Sequence, residues 1–370
     1  MTAPTWLTKR LQIDPHTYPV FDAPKRSAGI TLDLNESYWF WNDDLYTQLQ
    51  QRVDKNAIGH YPDYTELYEA LATYTGMPVA HLCVTNGSDQ SIGFLMSVLA
   101  QSGGTAVIPA PTFTIYPHIA HRASIHSVFV PHTITNGTYV FPLQDTLEAL
   151  RTATDPTLFL CTPNNPLGIP IPIDDMRILL QYTYDNGIPT VIDEAYYEYG
   201  TTTYAPMVRD HDTLIVLRSF SKGFGMPGLR LGYTIAHPSI IHLIKSAKLP
   251  WNVNQVAAHA GIIALAHQEY FAQKRDEVHT ERSHLTQALR DISIEPLDSV
   301  CNFVTAPTTH ADALVRSLAQ QGVYIKNVSG YAYGGEPLQH AVRIAVPAPH
   351  DRSAVHDALL HAHAQYGTVS

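Results

Sequence analysis

Residues 214–230 read Leu-Ile-Val-Leu-Arg-Ser-Phe-Ser-Lys-Gly-Phe-Gly-Met-Pro-Gly-Leu-Arg. An apolar, strand-like run leads into two hydroxyls and a lysine, Lys222, and Arg230 follows shortly after. The lysine amine can form a Schiff base with an aldehyde. The hydroxyls of Ser219 and Ser221, with the planar guanidinium, can hold a phosphate. The segment is typical of a site for a ligand that carries both groups, although a surface lysine in a glycine-rich loop would look the same.

The same segment contains Gly223, Gly225 and Gly228, which have the spacing of a dinucleotide-binding fingerprint. That fingerprint needs its glycines to open a helix, and Pro227 has no N–H to contribute to such a first turn. It also needs an acidic residue about 20 positions further on, where this chain has Lys245-Ser246-Ala247-Lys248. A nicotinamide dehydrogenase is therefore the weakest alternative.

Two further segments point to pyridoxal 5′-phosphate (PLP), which carries both an aldehyde and a phosphate. Asn165 lies in Thr-Pro-Asn-Asn-Pro-Leu-Gly, and Asp193 opens Asp-Glu-Ala-Tyr-Tyr-Glu, each after a short apolar run. PLP needs a carboxylate against its pyridine nitrogen, and Asp193 is the candidate. Asn165 and Tyr196 are candidates for hydrogen bonds to its phenolic oxygen. Singly, Asn-Pro forms turns and an acid at a strand end caps helices, but the three segments together predict a PLP site.

With these motifs the chain resembles the fold-type I PLP enzymes of aminotransferase class I and II, in the branch similar to histidinol-phosphate aminotransferases. The matching stretches run from Leu-Asp-Leu-Asn-Glu at 32–36 to Val-Arg-Ile-Ala at 342–345, which is nearly the whole chain. The resemblance implies a PLP-dependent transferase of the α/β class, a cytoplasmic homodimer, and a reaction of amino-acid biosynthesis.

Between residues 81 and 236, apolar strand-like runs alternate with helical patterns, which is typical of a mainly parallel α/β sheet. Ligands in such sheets bind beyond the carboxyl ends of the strands. The segment 219–230 is too short for a parallel crossover, so we expect the strand after it to be antiparallel to its neighbours. Five candidate residues directly follow predicted strands: Ser88, Phe113, Asn165, Asp193 and Lys222. The predicted strands are His81–Thr85, Thr105–Pro109, Ser127–Val130, Thr157–Cys161, Thr190–Asp193, Thr213–Arg218 and Leu231–Ala236.

The alternation ends near residues 249–252, and longer helical patterns follow. We therefore predict a large PLP-binding domain over 45–250 with a mainly parallel seven-stranded sheet, and a smaller α+β domain over 251–370. The resemblance adds residues 1–44 to the smaller domain. Its predicted elements are the helices Asn254–His267, Lys274–Leu289, Ala311–Gln320 and Asp351–Tyr366 and the strands Cys301–Val304, Val323–Lys326 and Ala341–Ala345.

The resemblance also assigns further cofactor contacts. The turn Gly87-Ser88-Asp89 opens a helix and would cup the phosphate, together with Ser219, Ser221 and Arg230, although a simple helix cap would look the same. Phe113 would stack on the pyridine face, although a core position is also open.

Tyr61 matches a tyrosine that reaches the cofactor phosphate of the neighbouring subunit, which implies a homodimer with shared active sites. The alternative is local packing, because Asp63 and Glu66 could cap the following helix.

On the substrate side, the resemblance places Arg343 as a fork on the substrate carboxylate. A buried arginine otherwise needs an acidic partner, and residues 338–341 offer none. Lys326 stands where relatives acting on histidinol phosphate have a phosphate-binding arginine, but lysine binds as a point charge. Tyr18 and Asn35 match positions near the substrate. Residues 35–41, Asn-Glu-Ser-Tyr-Trp-Phe-Trp, depart from the usual pattern and leave the substrate open.

The function implied is a PLP-dependent aminotransferase that moves an amino group between an L-amino acid, or an amine like histidinol phosphate, and a 2-oxo acid. Lys222, Asp193 and Tyr196 form its catalytic set, with Lys222 moving the proton at the substrate Cα. The open alternatives are a decarboxylase of a phosphorylated amino acid, a specialised secondary-metabolite enzyme, and a non-catalytic binding module.

The composition limits the classes of function that are possible. The 370 residues are 45% hydrophobic, enough for a large core in roughly two domains, and a net charge of −10 argues against nucleic-acid or anionic-membrane binding. No signal peptide or membrane span is expected. Cys83, Cys161 and Cys301 are scattered, which indicates reduced thiols and a cytoplasmic location. The pairs His118/His121 and His361/His363 lack the further ligands of a metal site, so no metal is expected.

Overall fold

The structure is a computed structural model that describes residues 28–135, 138–200, 202–329, 331 and 338–366. Its strands are β1 (Ile30–Thr31), β2 (Leu82–Thr85), β3 (Thr105–Ala110), β4 (His126–Pro131), β5 (Thr133–Thr135), β6 (Thr138–Val140), β7 (Pro156–Cys161), β8 (Thr190–Asp193), β9 (Leu214–Ser219), β10 (Gly232–Ala236), β11 (Phe303–Pro307), β12 (Val323–Tyr324), β13 (Lys326–Asn327) and β14 (Ala341–Ala345). Its α-helices are α1 (Asp43–Arg52), α2 (Lys55–Gly59), α3 (Thr65–Thr75), α4 (Ser88–Ser102), α5 (Ile115–Arg122), α6 (Leu143–Thr152), α7 (Ile173–Asp185), α8 (Pro238–Ala247), α9 (Gln255–Ala266), α10 (Gln268–Asp291), α11 (Ala311–Gln320) and α12 (Arg352–Tyr366).

The largest sheet of the described chain has seven strands in the order β2-β10-β9-β8-β7-β3-β4. Strands β4, β3, β7, β8 and β9 pair in parallel, whereas β10 is antiparallel to both β9 and β2. The mainly parallel sheet is thus confirmed, and so is the antiparallel strand expected after the short 219–230 connection. Its inner strands are buried along their length, as expected for a sheet that helices cover on both faces.

The register of this sheet brings the ends of its central strands level. Cys161 at the end of β7 pairs with Asp193 at the end of β8, and Asp193 pairs with Leu217 in β9. Because parallel strands end at the same edge, the segments that follow β7, β8 and β9 leave the sheet side by side. Residues far apart in sequence therefore meet at this edge.

Several helices begin where a short polar side chain can satisfy free backbone N–H groups. Asn42 accepts from the N–H of Leu45 at the start of α1, and Asn254 accepts from the N–H of Ala257 at the start of α9. Helix α10 is 24 residues long and polar over most of its surface, with buried residues only at intervals. That spacing is typical of a helix that packs one face on a core.

Smaller sheets lie outside the main one. Strands β11, β14 and β13 form an antiparallel sheet, and β1 pairs in parallel with β12. The prediction of one strand over Val323–Lys326 is therefore wrong: the segment splits at Ile325, and its halves pair in different sheets. Ile325 is buried at the point where the chain leaves one sheet for the other, and alternation along so short an apolar run does not reveal such a crossing.

Among the described residues, three large clusters of buried apolar side chains form the interior, and one of them, which contains Ile108, Phe159 and Ile215, packs between the main sheet and α4, α5 and α8. Of the other two, the first lies around the seven-stranded sheet, and the second contains Leu32, Leu289 and Leu359 with strands β11 and β14. Helix α9 follows residue 250, yet its Ala260 and Ile263 belong to the first cluster. The division into 45–250 against 1–44 and 251–370 stays a prediction, because packing alone does not separate the two parts.

Candidate active site

Lys222 lies in the turn that follows β9, and its amine points to the segment after β1. Its Nζ donates to the carbonyl oxygens of Leu34, at 2.8 Å, and Asn35, at 3.1 Å. Burial lowers the pKa of the amine from 10.5 to about 8, and the nearby charge of Arg343 acts in the same direction. At pH 7 about a tenth of the amine is therefore unprotonated and nucleophilic, far more than for an ordinary lysine.

Asp193 ends β8 as a buried carboxylate, 3% exposed. Its Oδ2 accepts a hydrogen bond from the hydroxyl of Tyr116 at 2.6 Å, and its Oδ1 accepts from the N–H of Ala195 at 2.9 Å. Burial raises its pKa from 3.8 to about 6, and these two hydrogen bonds oppose the rise. A cation placed against this carboxylate would keep it ionised.

Tyr116 is a site residue that the sequence reasoning missed. It lies in α5, three residues after Phe113, and it is fully buried, with its ring edge-on to that of Phe113 at 6.3 Å. The sequence gives little signal, because this helix mixes apolar residues with His118, His121 and Arg122, so nothing marks the Tyr116 hydroxyl as one that needs a buried partner. The sequence does not say that the partner is Asp193.

Arg343 and Asn165 form a pair in the buried interior of the site. Arg343, 4% exposed, donates through Nη1 to Oδ1 of Asn165 at 2.6 Å and through Nη2 to the carbonyl of Asp33 at 2.7 Å. Its Nε is buried and has no hydrogen-bond partner within the described residues. Both of these acceptors are neutral oxygens, so the positive charge of Arg343 remains available to an anionic ligand.

Tyr196 is buried beside this pair, and its hydroxyl accepts a hydrogen bond from Nδ2 of Asn35 at 3.0 Å. Burial raises the pKa of the tyrosine well above its ordinary value, which keeps the hydroxyl protonated and able to donate. Asn35 has a left-handed backbone with φ 55°, a conformation that asparagine tolerates better than most residues. The Asn35 turn therefore contacts both Lys222 and Tyr196.

A second group of polar side chains lies where α4 begins. Arg230 donates through Nη1 to Oγ of Ser221 at 3.3 Å and through Nη2 to Oδ2 of Asp89 at 2.9 Å. Gly87 has φ +76°, and a Cβ there would come within 2.7 Å of Nη2 of Arg230. The guanidinium thus lies directly against the backbone turn, where the first N–H groups of the helix are free to bind an anion.

Ser88 and Ser219 complete this group, which we call the anion cup (Gly87, Ser88, Asp89, Ser219, Ser221 and Arg230). Both serines are buried, and Oγ of Ser219 accepts from the N–H of Ser221 at 3.1 Å. Asp89 is the exception in charge, because a carboxylate repels a phosphate. The Asp89 carboxylate pairs with Arg230 and orients its guanidinium. An anion would contact Asp89 through its backbone.

The remaining predicted residues lie apart. Phe113 is half-buried at the edge of the core. Tyr61 is 76% exposed and stacks on Trp251, with ring centroids 4.2 Å apart. Lys326 is half-buried on β13, where its Cα pairs with that of Arg343. Tyr18 lies outside the described residues.

A buried ion pair fixes the loop after β8 without entering the site. Glu194 accepts from Nε of Arg218 at 3.0 Å and from the N–H of Tyr204 at 2.6 Å. The guanidinium of Arg218 also lies 3.6 Å from the centre of the Tyr197 ring. These contacts hold the segment that carries Tyr196 against β9.

Other classes of site find no counterpart in the described part of the chain. No group of three or more histidine, cysteine, aspartate or glutamate side chains there is arranged to hold a metal ion. Among the same residues, no helix has both the length and the apolar character needed to cross a membrane. The three cysteines are buried free thiols.

The residues present fit PLP. The site contains a buried amine of lowered pKa, Lys222, and a buried carboxylate of raised pKa, Asp193, and an anion cup lies at a helix start. The buried Nε of Arg343 and Oδ1 of Asn35 lack partners within the described chain, as expected where a ligand supplies them. Fold and site together define a PLP-dependent transferase of the α/β class.

Comparison with known proteins identifies the family. Residues 30–361 match the family aminotransferase class I and II. The chain is 31% identical over 349 residues to histidinol-phosphate aminotransferase 2 of Archaeoglobus fulgidus, which covers 94% of this chain and 96% of that relative. The chain therefore belongs to the aminotransferase class I and II family, and its cofactor is PLP.

Solved structures agree on the fold. Histidinol-phosphate aminotransferase from Sinorhizobium meliloti, in complex with pyridoxal-5′-phosphate, has a TM-score of 0.81 at 20% identity, covering 99% of this chain and 95% of that chain. L-threonine-O-3-phosphate decarboxylase from Porphyromonas gingivalis has a TM-score of 0.76 at 23% identity, covering 90% and 98%. At such identities the similarity speaks for the fold alone, and this fold supports both chemistries.

Proposed function

We propose that this aminotransferase binds the aldehyde of PLP through Lys222 and exchanges an amino group between a phosphorylated amine or amino acid and a dicarboxylic 2-oxo acid. The observation that carries the proposal is the convergence on one turn. Asn35 contacts the amine of Lys222 and the hydroxyl of Tyr196, while the neighbouring Asp33 carbonyl contacts Arg343. The reactive amine of Lys222 and the candidate carboxylate-binding group of Arg343 thus both contact the short segment 33–35.

In this proposal the protein holds PLP at four points besides the Lys222 amine. The anion cup holds the phosphate, Asp193 lies against the pyridine nitrogen, and Phe113 packs on the ring. Asn165 and Tyr196 bond the phenolic oxygen. PLP, when bound, supplies an electron sink for the bond that breaks at the substrate Cα.

Lys222 is the proposed general base and acid. A pKa of about 8 in the ligand-free chain gives the amine both protonation states near neutral pH, which suits a group that takes and returns one proton. The carbonyls of Leu34 and Asn35 accept its N–H bonds, so they would direct the lone pair of the free amine. Arg343 would fix which bond at the Cα is broken by holding the carboxylate.

The substrate class follows from the charges around Arg343. Lys326 and Arg343 are directly opposite in antiparallel strands, so their side chains lie on the same face of the sheet. Two cations on one face favour substrates that carry two negative charges, on two groups or on one phosphate. A dicarboxylic amino acid has two carboxylates, and an amine like the histidinol phosphate of the relative's name has a phosphate.

The exposed aromatic pair Tyr61 and Trp251 supports a homodimer. Ile58 and Leu249, close to the pair in sequence, are also exposed, and exposed apolar clusters mark association surfaces. In the proposed dimer Tyr61 reaches the anion cup of the partner subunit. The buried free thiols support a cytoplasmic location, where thiols stay reduced.

The test is a visible absorbance spectrum of the PLP-loaded protein while amino donors are added one at a time. The donors are histidinol phosphate, glutamate, aromatic amino acids and threonine phosphate. Loss of the visible band with one donor, and its return with a 2-oxo acid, is the expected result. Release of carbon dioxide from threonine phosphate without such exchange would replace transamination by decarboxylation.

Two variants make the test residue-specific. Lys222→Ala should abolish the exchange, and full turnover in this variant would overturn the assignment. Lys326→Met should lower kcat/KM for the phosphorylated donor about tenfold or more, since one charge-assisted contact contributes about 1.5–3 kcal/mol. A donor with one carboxylate and no phosphate serves as the control and should be unaffected.

A further inference from the structure

Asn302 lies just before β11 and is 1% exposed. Its Nδ2 donates to the carbonyl oxygen of Asn35 at 3.0 Å and to Oγ of Ser37 at 3.1 Å. An amide nitrogen has two hydrogens, so these two contacts use both. Asn302 thus holds two points of a segment 265 to 267 residues away in sequence.

The first contact places the Lys222 amine. The carbonyl of Asn35 accepts from Nδ2 of Asn302 and from Nζ of Lys222, one for each of its two lone pairs. Asn35 has a left-handed backbone, φ 55°, which is less stable than the right-handed form for any residue with a Cβ. The Asn302 contact stabilises this turn in the orientation that faces Lys222.

The second contact starts a hydrogen-bond chain that returns to Lys222. The Tyr199 hydroxyl donates its single hydrogen to the carbonyl of Lys222 at 2.9 Å, because a carbonyl can only accept. The Ser37 hydroxyl, 3.0 Å from that of Tyr199, must therefore donate to it. Ser37 then has its oxygen lone pairs free to accept from Asn302, which is the contact observed.

The donor directions are thus the same along the whole path from Asn302 through Ser37 and Tyr199 to the Lys222 carbonyl. A donor is needed at residue 302, and aspartate, with the same shape, provides none. We propose that Asn302 is a positioning residue that fixes Lys222 at both ends, its amine through Asn35 and its backbone through Ser37 and Tyr199. This inference rests on the proposed role of Lys222.

The test compares Asn302→Leu, which has the same branching without hydrogen bonds, with the parent chain. The first measurement is the pH dependence of the rate at which PLP-free protein takes up PLP, without any amino donor. Carbonyl acceptors favour the protonated amine, so displacement of the Asn35 carbonyl in Asn302→Leu should move the midpoint to lower pH. The other charged groups around the amine are Arg343, Glu36, Asp89 and Arg230, and this variant leaves them unchanged.

The second measurement separates kcat from KM for the amino donor. Misplacement of a catalytic group by about 1 Å costs up to about 100-fold, so kcat should fall about 10- to 100-fold while KM changes little. The matched control is Asn186→Ala, which also removes an amide donor to a backbone carbonyl, at the end of α7. It should behave as the parent chain.

A purely structural Asn302 would lower Tm in Asn302→Leu but leave the uptake profile and kcat at parent values, and that result overturns the inference. If Asn302→Leu does not fold, Ser37→Ala breaks only the second path and should give a smaller loss of kcat; an unchanged kcat there refutes the second path. A failure of the proposed function gives a different result from a failure of this inference. If Lys222 does not bind PLP, the parent chain and Lys222→Ala take up PLP alike.

Discussion

The hydroxyl of Tyr116 controls the charge of Asp193, and Tyr116→Phe removes that single atom. The phenyl ring keeps the packing of Tyr116 against Phe113 and Phe159, so the substitution isolates the 2.6 Å hydrogen bond to Oδ2 of Asp193. Burial raises the pKa of Asp193 to about 6, and the Tyr116 hydrogen bond is the largest influence that opposes it. Without that bond the pKa must rise further.

The size of the rise follows from the hydrogen bond. A hydrogen bond to a charged group contributes about 1.5–3 kcal/mol, and about 1.4 kcal/mol corresponds to a tenfold change in the ionisation constant. Loss of the bond should therefore raise the pKa of Asp193 by about 1 to 2. In the ligand-free variant half or more of the carboxylate is then protonated at pH 7, and a neutral acid does not attract the pyridinium of PLP.

The assay is the dissociation constant for PLP from pH 5 to pH 9. The parent chain should lose affinity as the pH falls through the ionisation of Asp193, and Tyr116→Phe should lose it at a pH about 1 to 2 higher. Tyr74→Phe is the matched control, because it removes the hydroxyl contact with Tyr197 outside the site and should leave the profile unchanged. Superimposable profiles for Tyr116→Phe and the parent chain would refute the reasoning.

Three further predictions concern charge. In PLP-free protein, the pKa of Asp193 is raised from 3.8 to about 6, so its contribution to stability is present below about pH 4 and is lost as the pH rises through 6. Asp193→Asn should therefore raise the free energy of unfolding at pH 7 by up to about 3 kcal/mol, while PLP affinity falls; urea unfolding that shows a loss of stability would contradict this. Arg343→Lys loses the planar fork and should lower kcat/KM for carboxylate substrates about 100-fold or more, since the two contacts contribute about 1.5–3 kcal/mol each; an amine without a carboxylate should show no such change in steady-state kinetics. Arg218→Met leaves Glu194 buried without its partner and should cost about 3–5 kcal/mol, whereas replacing both by apolar residues should restore stability; a single variant as stable as the double would count against the pairing.

Much of the fold follows from local sequence. Each strand of the main sheet is a short apolar run, and the brief connection at 219–230 excludes a parallel crossover, so the antiparallel β10 was predictable. The split at Ile325 was not, because β12 pairs with β1, which is far away in sequence, whereas β13 pairs with the nearby β14.

The candidate site, like the fold, could be predicted only in part from the sequence. Lys222, Asp193 and Asn165 follow strands, and level strand ends bring them to one edge. Tyr116 and Asn302 were missed, because the importance of each depends on a partner. The Tyr116 contact spans 77 residues and the Asn302 contact spans 267.

The sequence by itself determined which chemical groups stand at the ends of the strands. They are an amide at Asn165, an acid at Asp193 and an amine at Lys222, each at the end of an apolar run. The tertiary structure decided what those groups experience. Burial moves the pKa values of Lys222 and Asp193 toward neutrality, and the Asn35 turn meets Lys222 through folding that brings together residues 187 positions apart in sequence. The reason is physical: residue type fixes which proton a group can hold, whereas desolvation and hydrogen bonds set by distant segments fix how tightly it holds that proton.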